Sequence, residues 1–216
     1  MSKLLRYQVA VSLDGFIAAP GGDNGWIVMD PAIDFAALFA LFDTALMGRK
    51  TYQMLIANGG TGAMPGLDVV VFSKTLPAAT HTGVVITNDD PRAVVAALKK
   101  RPGKDVWLFG GGELFRTLLD AGLVDSVEVA VIPVLLGSGV PLLPPGASTK
   151  LVLADHAVLQ KSGIVVLSYA LPRSKRYAPD IAIRFLRKPK AKSPKTAARK
   201  TAVKRKPRVV KRSRVR

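Results

Sequence analysis

The strongest constraint on the fold is a run of three glycines at residues 110–112, which separates an apolar segment from a helical pattern. Residues 106–109 are a short apolar run, typical of a strand that is covered on both faces. Apolar pairs then follow at residues 114–115 and 118–119, and this spacing is helical. A strand that enters a helix without side chains lets a ligand approach the backbone, and the first N–H groups of the helix can bind an anion. A tight turn without a ligand is the alternative, but a single glycine would suffice for it.

Strand-like and helix-like patterns alternate along the chain, which predicts an α/β fold with a mostly parallel central sheet. The predicted strands are residues 7–13, 44–47, 69–72, 84–86, 106–109 and 127–132. The predicted helices begin at Pro31 (capped by Asp30), Gly48, Pro91 and Gly112. The first helix should continue for about three turns, to Phe42. Two last strands, residues 150–160 and 164–171, should form an antiparallel hairpin at the edge of the sheet.

The basic residues are unevenly distributed, and this predicts two regions. Residues 173–216 contain 19 of the 32 Lys and Arg residues and one acid, Asp180, whereas residues 1–172 contain 13 basic and 14 acidic residues. We therefore expect a folded domain over residues 1–172 and a disordered basic tail over residues 173–216, because the tail has too little apolar area to offset the entropy of ordering. Residues 181–185 are the apolar exception and could dock on the domain or on a partner.

A flexible polycation binds polyanions by releasing counterions, without reading sequence. The tail therefore suggests non-specific association with DNA, RNA, polyphosphate or an anionic membrane surface. A solubilising extension without a defined partner is the alternative.

Several classes of protein are not expected from the composition. The chain has no cysteine and only two histidines, His81 and His156, so no metal site is expected. No apolar run is long enough to span a bilayer, and the N-terminus lacks the pattern of a secretory signal. We expect a cytoplasmic protein, with nucleoid association through the tail.

Four loops follow predicted strands and should meet at the carboxyl edge of the sheet, where ligands of α/β folds bind. They are residues 14–15, 48–51, 73–75 and 110–112. Two of these loops contain basic residues and two combine glycine with a helix start, which favours a ligand with several phosphates. Neither the Gly-x-Gly-x-x-Gly pattern nor a P-loop is present.

Three segments, residues 48–52, 71–75 and 109–115, resemble the cofactor-binding segments of the dihydrofolate reductase fold. Residues 12–18 and 133–142 resemble one branch of that superfamily more closely, the reductase domain of bacterial riboflavin biosynthesis. The resemblance extends over about residues 3–171 and implies a three-layer dihydrofolate reductase-like fold. Relatives in this branch are dimers, so a homodimer is expected.

The resemblance implies NADPH as the hydride donor. Arg49 and Lys50 would contact the pyrophosphate or the 2′-phosphate, and Ser73 and Lys74 would hold the 2′-phosphate. The backbone at residues 110–111 would pass beneath the cofactor through a cis peptide bond. The full set of implied cofactor residues is Ala10, Ile17, Gly48, Arg49, Lys50, Thr51, Ser73, Lys74, Gly110, Gly111, Gly112, Glu113 and Leu114. A solvated helix face is the alternative for Arg49 and Lys50.

The resemblance also implies a small heterocyclic or carbonyl substrate. Asp14 occupies the position of a carboxylate near the substrate, although an Asp before a glycine is also a common turn residue. Asp34 is the second catalytic candidate, because dihydrofolate reductases have their essential acid on the first helix. The implied substrate is 5-amino-6-(5-phosphoribosylamino)uracil, and dihydrofolate is the alternative. A nucleic-acid-associated protein with a non-catalytic body is the alternative from another class.

Overall fold

A computed structural model describes residues 3–81, 83–174, 177, 185 and 186. The strands are β1 (Leu5–Ser12), β2 (Phe16–Ala18), β3 (Phe42–Gly48), β4 (Asp68–Phe72), β5 (Ala79–His81), β6 (Val84–Thr87), β7 (Asp105–Gly110), β8 (Ser126–Ile132), β9 (Val140–Pro141), β10 (Val152–Leu159) and β11 (Ile164–Ala170). The helices are α1 (Phe35–Phe39), α2 (Arg49–Ala57), α3 (Pro91–Lys100) and α4 (Gly112–Asp120). None of these helices is long and apolar enough to cross a membrane.

Nine strands form one central sheet in the order β10-β11-β8-β1-β7-β3-β4-β6-β5. The six strands from β8 to β6 in this order are mutually parallel, whereas β11 pairs antiparallel with β8 and β10 pairs antiparallel with β11. This confirms the predicted α/β class, the mostly parallel sheet and the antiparallel C-terminal hairpin. The parallel strands align their carboxyl ends at one edge.

Helices cover both faces of the sheet, which gives three layers. On one face, α3 and α4 bury Val95, Phe115 and Leu118 against the central strands. On the other face, α1 buries Leu38, and α2 adds the partly buried Tyr52 to the same cluster. The central strands are apolar on both sides because both of their faces are covered.

The first helix is the main error of the secondary-structure prediction. Helix α1 has five residues and begins after Asp34, whose carboxylate accepts a hydrogen bond from Ala37 N at 3.0 Å. The Asp30 carboxylate is buried and instead accepts hydrogen bonds from Ala32 N and from the hydroxyl of Ser162. Asp30 therefore attaches the turn of the C-terminal hairpin to the segment before α1, and Phe42 lies in β3 rather than in the helix.

Two short strands lie where the sequence predicted only loops. Strands β2 and β9 pair with each other as a separate two-stranded sheet. This sheet joins the loop after β1 to the glycine- and proline-rich loop after β8. The edge strand β5 was also not predicted.

The folded unit extends beyond the predicted boundary at residue 172. Tyr177 and Phe185 are each 5% exposed, and Phe185 belongs to the core cluster on the α1 face. Leu186 forms an antiparallel bridge with Ile33. Phe185 therefore packs on the domain, whereas residues 181–184 of the predicted docking segment and most of the predicted disordered tail lie outside the described residues.

A buried ion pair connects β1 to β8. Arg6 Nε and Nη2 donate to the two carboxylate oxygens of Glu128, each at 2.8 Å, and both side chains are 1% exposed. Burial opposes the charge on Arg6, but the Glu128 carboxylate, with smaller contributions from Tyr177 and Asp105, raises the pKa of Arg6 above its usual value. The Ser126 hydroxyl also donates to Glu128, at 2.7 Å.

We expect Glu128→Gln to lower the free energy of unfolding by about 3 kcal/mol, because the buried Arg6 charge would lose its closest carboxylate and keep the longer contact of 3.5 Å with Asp105. The double variant Arg6→Met/Glu128→Leu should recover most of this loss, because neither charge of the Arg6–Glu128 pair is then buried. Urea unfolding of the two variants and the wild type measures both values. Equal losses in the single and double variants would contradict this account of the pair.

Candidate active site

One large cavity opens at the carboxyl edge of the parallel strands. Its volume is about 970 Å³, at the upper end of the usual range for ligand sites. The cavity is lined by the ends of β3, β4 and β7, by the first turns of α2 and α4, and by the loop around β9. Toward β1, β8 and β11 the cavity continues into the core cluster on the α1 face.

All thirteen residues that the resemblance assigned to the cofactor line this cavity. They are Ala10, Ile17, Gly48, Arg49, Lys50, Thr51, Ser73, Lys74, Gly110, Gly111, Gly112, Glu113 and Leu114. Five separate segments of the sequence therefore contribute to one site.

Two helix N-termini face the cavity without a capping side chain. Gly48 is the N-cap of α2 and Gly111 is the N-cap of α4, and neither helix start receives a side-chain hydrogen bond. The first N–H groups of both helices are consequently available to an anion. The Gly110–Gly111 peptide bond is cis, as the resemblance implied.

The glycines at 111 and 112 are required for different reasons. A Cβ at Gly111 would lie 3.3 Å from Thr51 Oγ1, so the two helix starts approach closely at this point. A Cβ at Gly112 would lie 3.0 Å from both Pro141 O and Pro144 Cδ. Gly111 thus keeps the floor of the cavity free of side chains, whereas Gly112 allows the loop after β9 to pack on α4.

The positive charges of the cavity lie at the ends of β3 and β4. Lys50 and Lys74 are exposed, and Arg49 is half-buried with its guanidinium donating to Gln53 Oε1 at 2.9 Å. The Ser73 hydroxyl accepts hydrogen bonds from Thr75 N and Leu76 N, which shapes the turn after β4. Its own proton remains available to an acceptor in the cavity.

The part of the cavity next to β1, β8 and β11, called its inner end, is mainly apolar and was not predicted from the sequence. Gln8, Trp107, Glu128, Ile164 and Val166 line it. The Gln8 side chain is 9% exposed, and its Oε1 has no hydrogen-bond partner in the described part of the chain. The period-two alternation of a strand could have identified Gln8, because it lies on the same face of β1 as the predicted Ala10.

Neither catalytic candidate is among the residues that line the cavity. The Asp14 carboxylate accepts hydrogen bonds from the Ser12 hydroxyl at 2.6 Å, from Gly137 N at 2.7 Å and from Leu136 N at 3.0 Å. The hydrogen bond from Ser12 contributes most to lowering the pKa of Asp14 below its usual value. This geometry favours the turn interpretation of Asp14, and Asp34 serves as the cap of α1.

The comparison with known families agrees with this geometry. Residues 3–167 match the RibD C-terminal domain family. The chain belongs to this family. RibD C-terminal domains are reductases with the dihydrofolate reductase-like fold described above.

Several RibD-like proteins show how far the similarity extends. The chain is 37% identical to the uncharacterized protein YyaP of Bacillus subtilis over 62% of its own length and 77% of that protein. It is 30% identical to the riboflavin biosynthesis protein RibD of Mycobacterium tuberculosis H37Rv, over 63% of this chain but only 44% of RibD. A crystal structure of a protein from Shewanella sp. PV-4, assigned to riboflavin biosynthesis, superposes with a TM-score of 0.68 at 26% identity and covers 80% of this chain and 100% of that one.

We expect Asp14→Asn to lower the melting temperature at neutral pH, because the amide replaces one of the two acceptor oxygens. A carboxyl whose pKa is lowered by folding stabilises the fold above its unfolded pKa of about 3.9, and this contribution is lost as the pH falls through the folded-state pKa. The difference in melting temperature between variant and wild type should therefore disappear in acid. Thermal melts from neutral pH down to acid pH measure this difference. Asp68→Asn, at an exposed carboxylate of β4, is the control.

Two results would contradict a structural role for Asp14. A melting difference that does not change with pH would mean that the carboxylate charge is not involved. Loss of hydride transfer with an unchanged melting temperature would return Asp14 to the catalytic candidates.

Proposed function

We propose that this chain is an NADPH-dependent reductase that transfers hydride to a C=N or C=O carbon of a small heterocyclic or carbonyl substrate. The observation that supports this most directly is that one cavity has both a basic surface and an apolar surface. Uncapped helix starts with Arg49, Lys50 and Lys74 lie at one end, and an apolar end with Gln8 lies at the other. A reduced dinucleotide needs both, because its phosphates are charged and its nicotinamide is flat.

The spacing of the two ends suits an extended dinucleotide. The basic residues follow β3 and β4, whereas Gln8 lies on β1, two to three strands away in the sheet. Adjacent strands are about 4.8 Å apart, so the two ends are separated by roughly 10–14 Å. The cofactor can therefore bind its phosphates at the helix starts and extend its nicotinamide toward β1.

Several of the lining residues have specific roles in this proposal. The N–H groups at the starts of α2 and α4, with Arg49 and Lys50, bind the pyrophosphate. Ser73 and Lys74 bind the 2′-phosphate, which distinguishes NADPH from NADH. Ala10 flanks the nicotinamide, which supplies the hydride when the cofactor is bound. Water delivers the proton, since the Asp14 carboxylate is bound by the loop after β8 and the Asp34 carboxylate caps α1.

The substrate binds beside the nicotinamide in this proposal, against the remaining surface of the inner end of the cavity. It combines apolar walls with one side-chain amide, which suits a flat heterocycle with a polar edge. Family membership makes 5-amino-6-(5-phosphoribosylamino)uracil the first substrate to test, and dihydrofolate is the second. Oxidation of NADPH in the presence of each compound, followed by absorbance of the reduced nicotinamide, tests the reaction.

We expect Lys74→Gln to weaken NADPH binding about tenfold while leaving NADH binding nearly unchanged, because only NADPH has the 2′-phosphate. The loss should shrink at high ionic strength, because Lys74 is exposed and its charge is screened. Titration calorimetry at two salt concentrations measures both affinities. Lys104→Gln, at an exposed lysine outside the cavity lining, is the matched control.

The cofactor proposal is wrong if the wild-type chain binds NADPH no more tightly than about 1 mM. An equal loss of NADPH and NADH affinity in Lys74→Gln would place Lys74 elsewhere than at the 2′-phosphate. A chain that binds NADPH but reduces none of the compounds would favour the non-catalytic alternative.

We further propose that the basic tail binds polyanions. The supporting observation is its composition, since residues 188–216 contain 14 Lys and Arg residues and no acid. These residues lie outside the described part of the chain, so the proposal rests on charge alone. Counterion release makes such binding sensitive to salt and insensitive to sequence.

We expect removal of residues 188–216 to abolish most of the affinity for double-stranded DNA and to flatten the dependence of the binding constant on salt. NADPH affinity should not change, because the cavity residues, including Phe185, are retained. Fluorescence anisotropy with two unrelated DNA sequences measures the effect. Unchanged DNA affinity after truncation, or a strong preference for one sequence, would contradict the proposal.

A further inference from the structure

The inner end of the cavity includes a residue from outside the family region. The match to the RibD C-terminal domain ends at residue 167, yet Phe185 lines the cavity. Phe185 is 5% exposed and packs in the same core cluster as Leu38, Ile164 and Val166. The C-terminal segment therefore completes a wall that the family region does not supply by itself.

Main-chain hydrogen bonding fixes the position of Phe185. Asp34 N donates to Phe185 O at 2.9 Å, and Ile33 forms an antiparallel bridge with Leu186. The Asp34 carboxylate at the same time caps α1 through Ala37 N. Phe185 is thus attached to the beginning of α1, the helix whose Phe35 and Leu38 line the same cavity.

The other aromatic rings at this end are held by their neighbours. Trp107 stacks on Phe42 with ring centroids 5.3 Å apart, and it meets Phe109 edge-on at 5.1 Å. The indole Nε1 donates to Gln8 O at 3.0 Å, which fixes the ring in the sheet. Trp107, Phe109 and Phe185 all line the cavity, and Gln8 Oε1, which has no hydrogen-bond partner in the described part of the chain, provides a polar contact.

We propose that Phe185 is a substrate-positioning residue, whose ring forms a wall of the substrate end and selects a flat heterocycle that directs its polar edge to Gln8. This inference rests on the proposed reductase function for the assignment of this end to the substrate. A flat ring gains from packing against an aromatic side chain beyond the area that it buries, whereas an aliphatic side chain supplies only the area. Phe185→Leu should therefore weaken ring binding while it retains most of the apolar contact.

Binding of two probes to the full-length chain, in the presence of NADPH, tests the role of Phe185. Pterin is a flat two-ring probe and 5,6-diaminouracil is a flat one-ring probe. We expect Phe185→Leu to weaken the binding of the probes by about two- to tenfold, and Phe185→Ala to weaken it further. NADPH affinity should change much less than probe affinity, because the phosphate-binding residues at the ends of β3 and β4 are retained in both variants.

Tyr177→Leu is the matched control for stability. Tyr177 also lies beyond the family region and is also 5% exposed, but it packs beside Leu4 and does not line the cavity. We expect it to lower the melting temperature without changing probe affinity. Equal probe affinity in wild type and both Phe185 variants would overturn the inference, as would a wild type that binds NADPH but neither probe.

The two proposals fail in different ways. Absence of NADPH binding by the wild type refutes the reductase assignment, whatever the probes do. Normal NADPH binding together with probe affinities that follow melting temperature across all three variants refutes the role of Phe185 alone.

Discussion

The parallel pairing of β3 with β7 and β4 is the constraint on which the site depends. Met47 pairs with Gly110, and Gly48 pairs with Phe72, so the three strands end at nearly the same level of the sheet. The chain enters a helix directly after two of these strands, and each helix begins with a glycine as its N-cap. A Cβ at Gly48 would lie 3.9 Å from Gly111 N, which shows how closely the two helix starts approach. An anion between them would interact with both sets of free N–H groups.

The charged groups at the two ends of the cavity differ in their exposure to solvent. At the ends of β3 and β4, Lys50 and Lys74 are exposed, so salt screens their attraction for any anion. At the inner end, Glu128 lines the cavity while it is bound to the buried Arg6. Because a charge at this depth is costly without its partner, this pair restricts which side chains the surrounding positions can accept. Arg6 and Glu128 therefore connect the stability of the fold to the shape of the inner end of the cavity.

The features that were predictable from the sequence are local ones. The glycine-first helices, the buried strands and the C-terminal hairpin follow from patterns within about ten residues, and these were confirmed. Asp30 shows the limit of such patterns, because an Asp before a proline has the signature of a helix cap. Its carboxylate instead accepts a hydrogen bond from Ser162, and nothing near residue 30 indicates that partner. The true cap, Asp34, has a weaker local signature.

The roles of Asp14 and Asp34 were also hard to predict, because the local sequence does not show which groups bind a carboxylate. The resemblance favoured Asp14 and Asp34 as substrate-directed acids, but the Asp14 carboxylate accepts hydrogen bonds from the loop after β8 and the Asp34 carboxylate accepts one from Ala37 N. Three donors bind the Asp14 carboxylate and hold it ionised and in place, which suits a structural anchor better than proton transfer. Asp34 serves the site indirectly, because its N–H fixes Phe185 against the start of α1. The acid that was expected to act on the substrate thus helps to build the wall against which the substrate would rest.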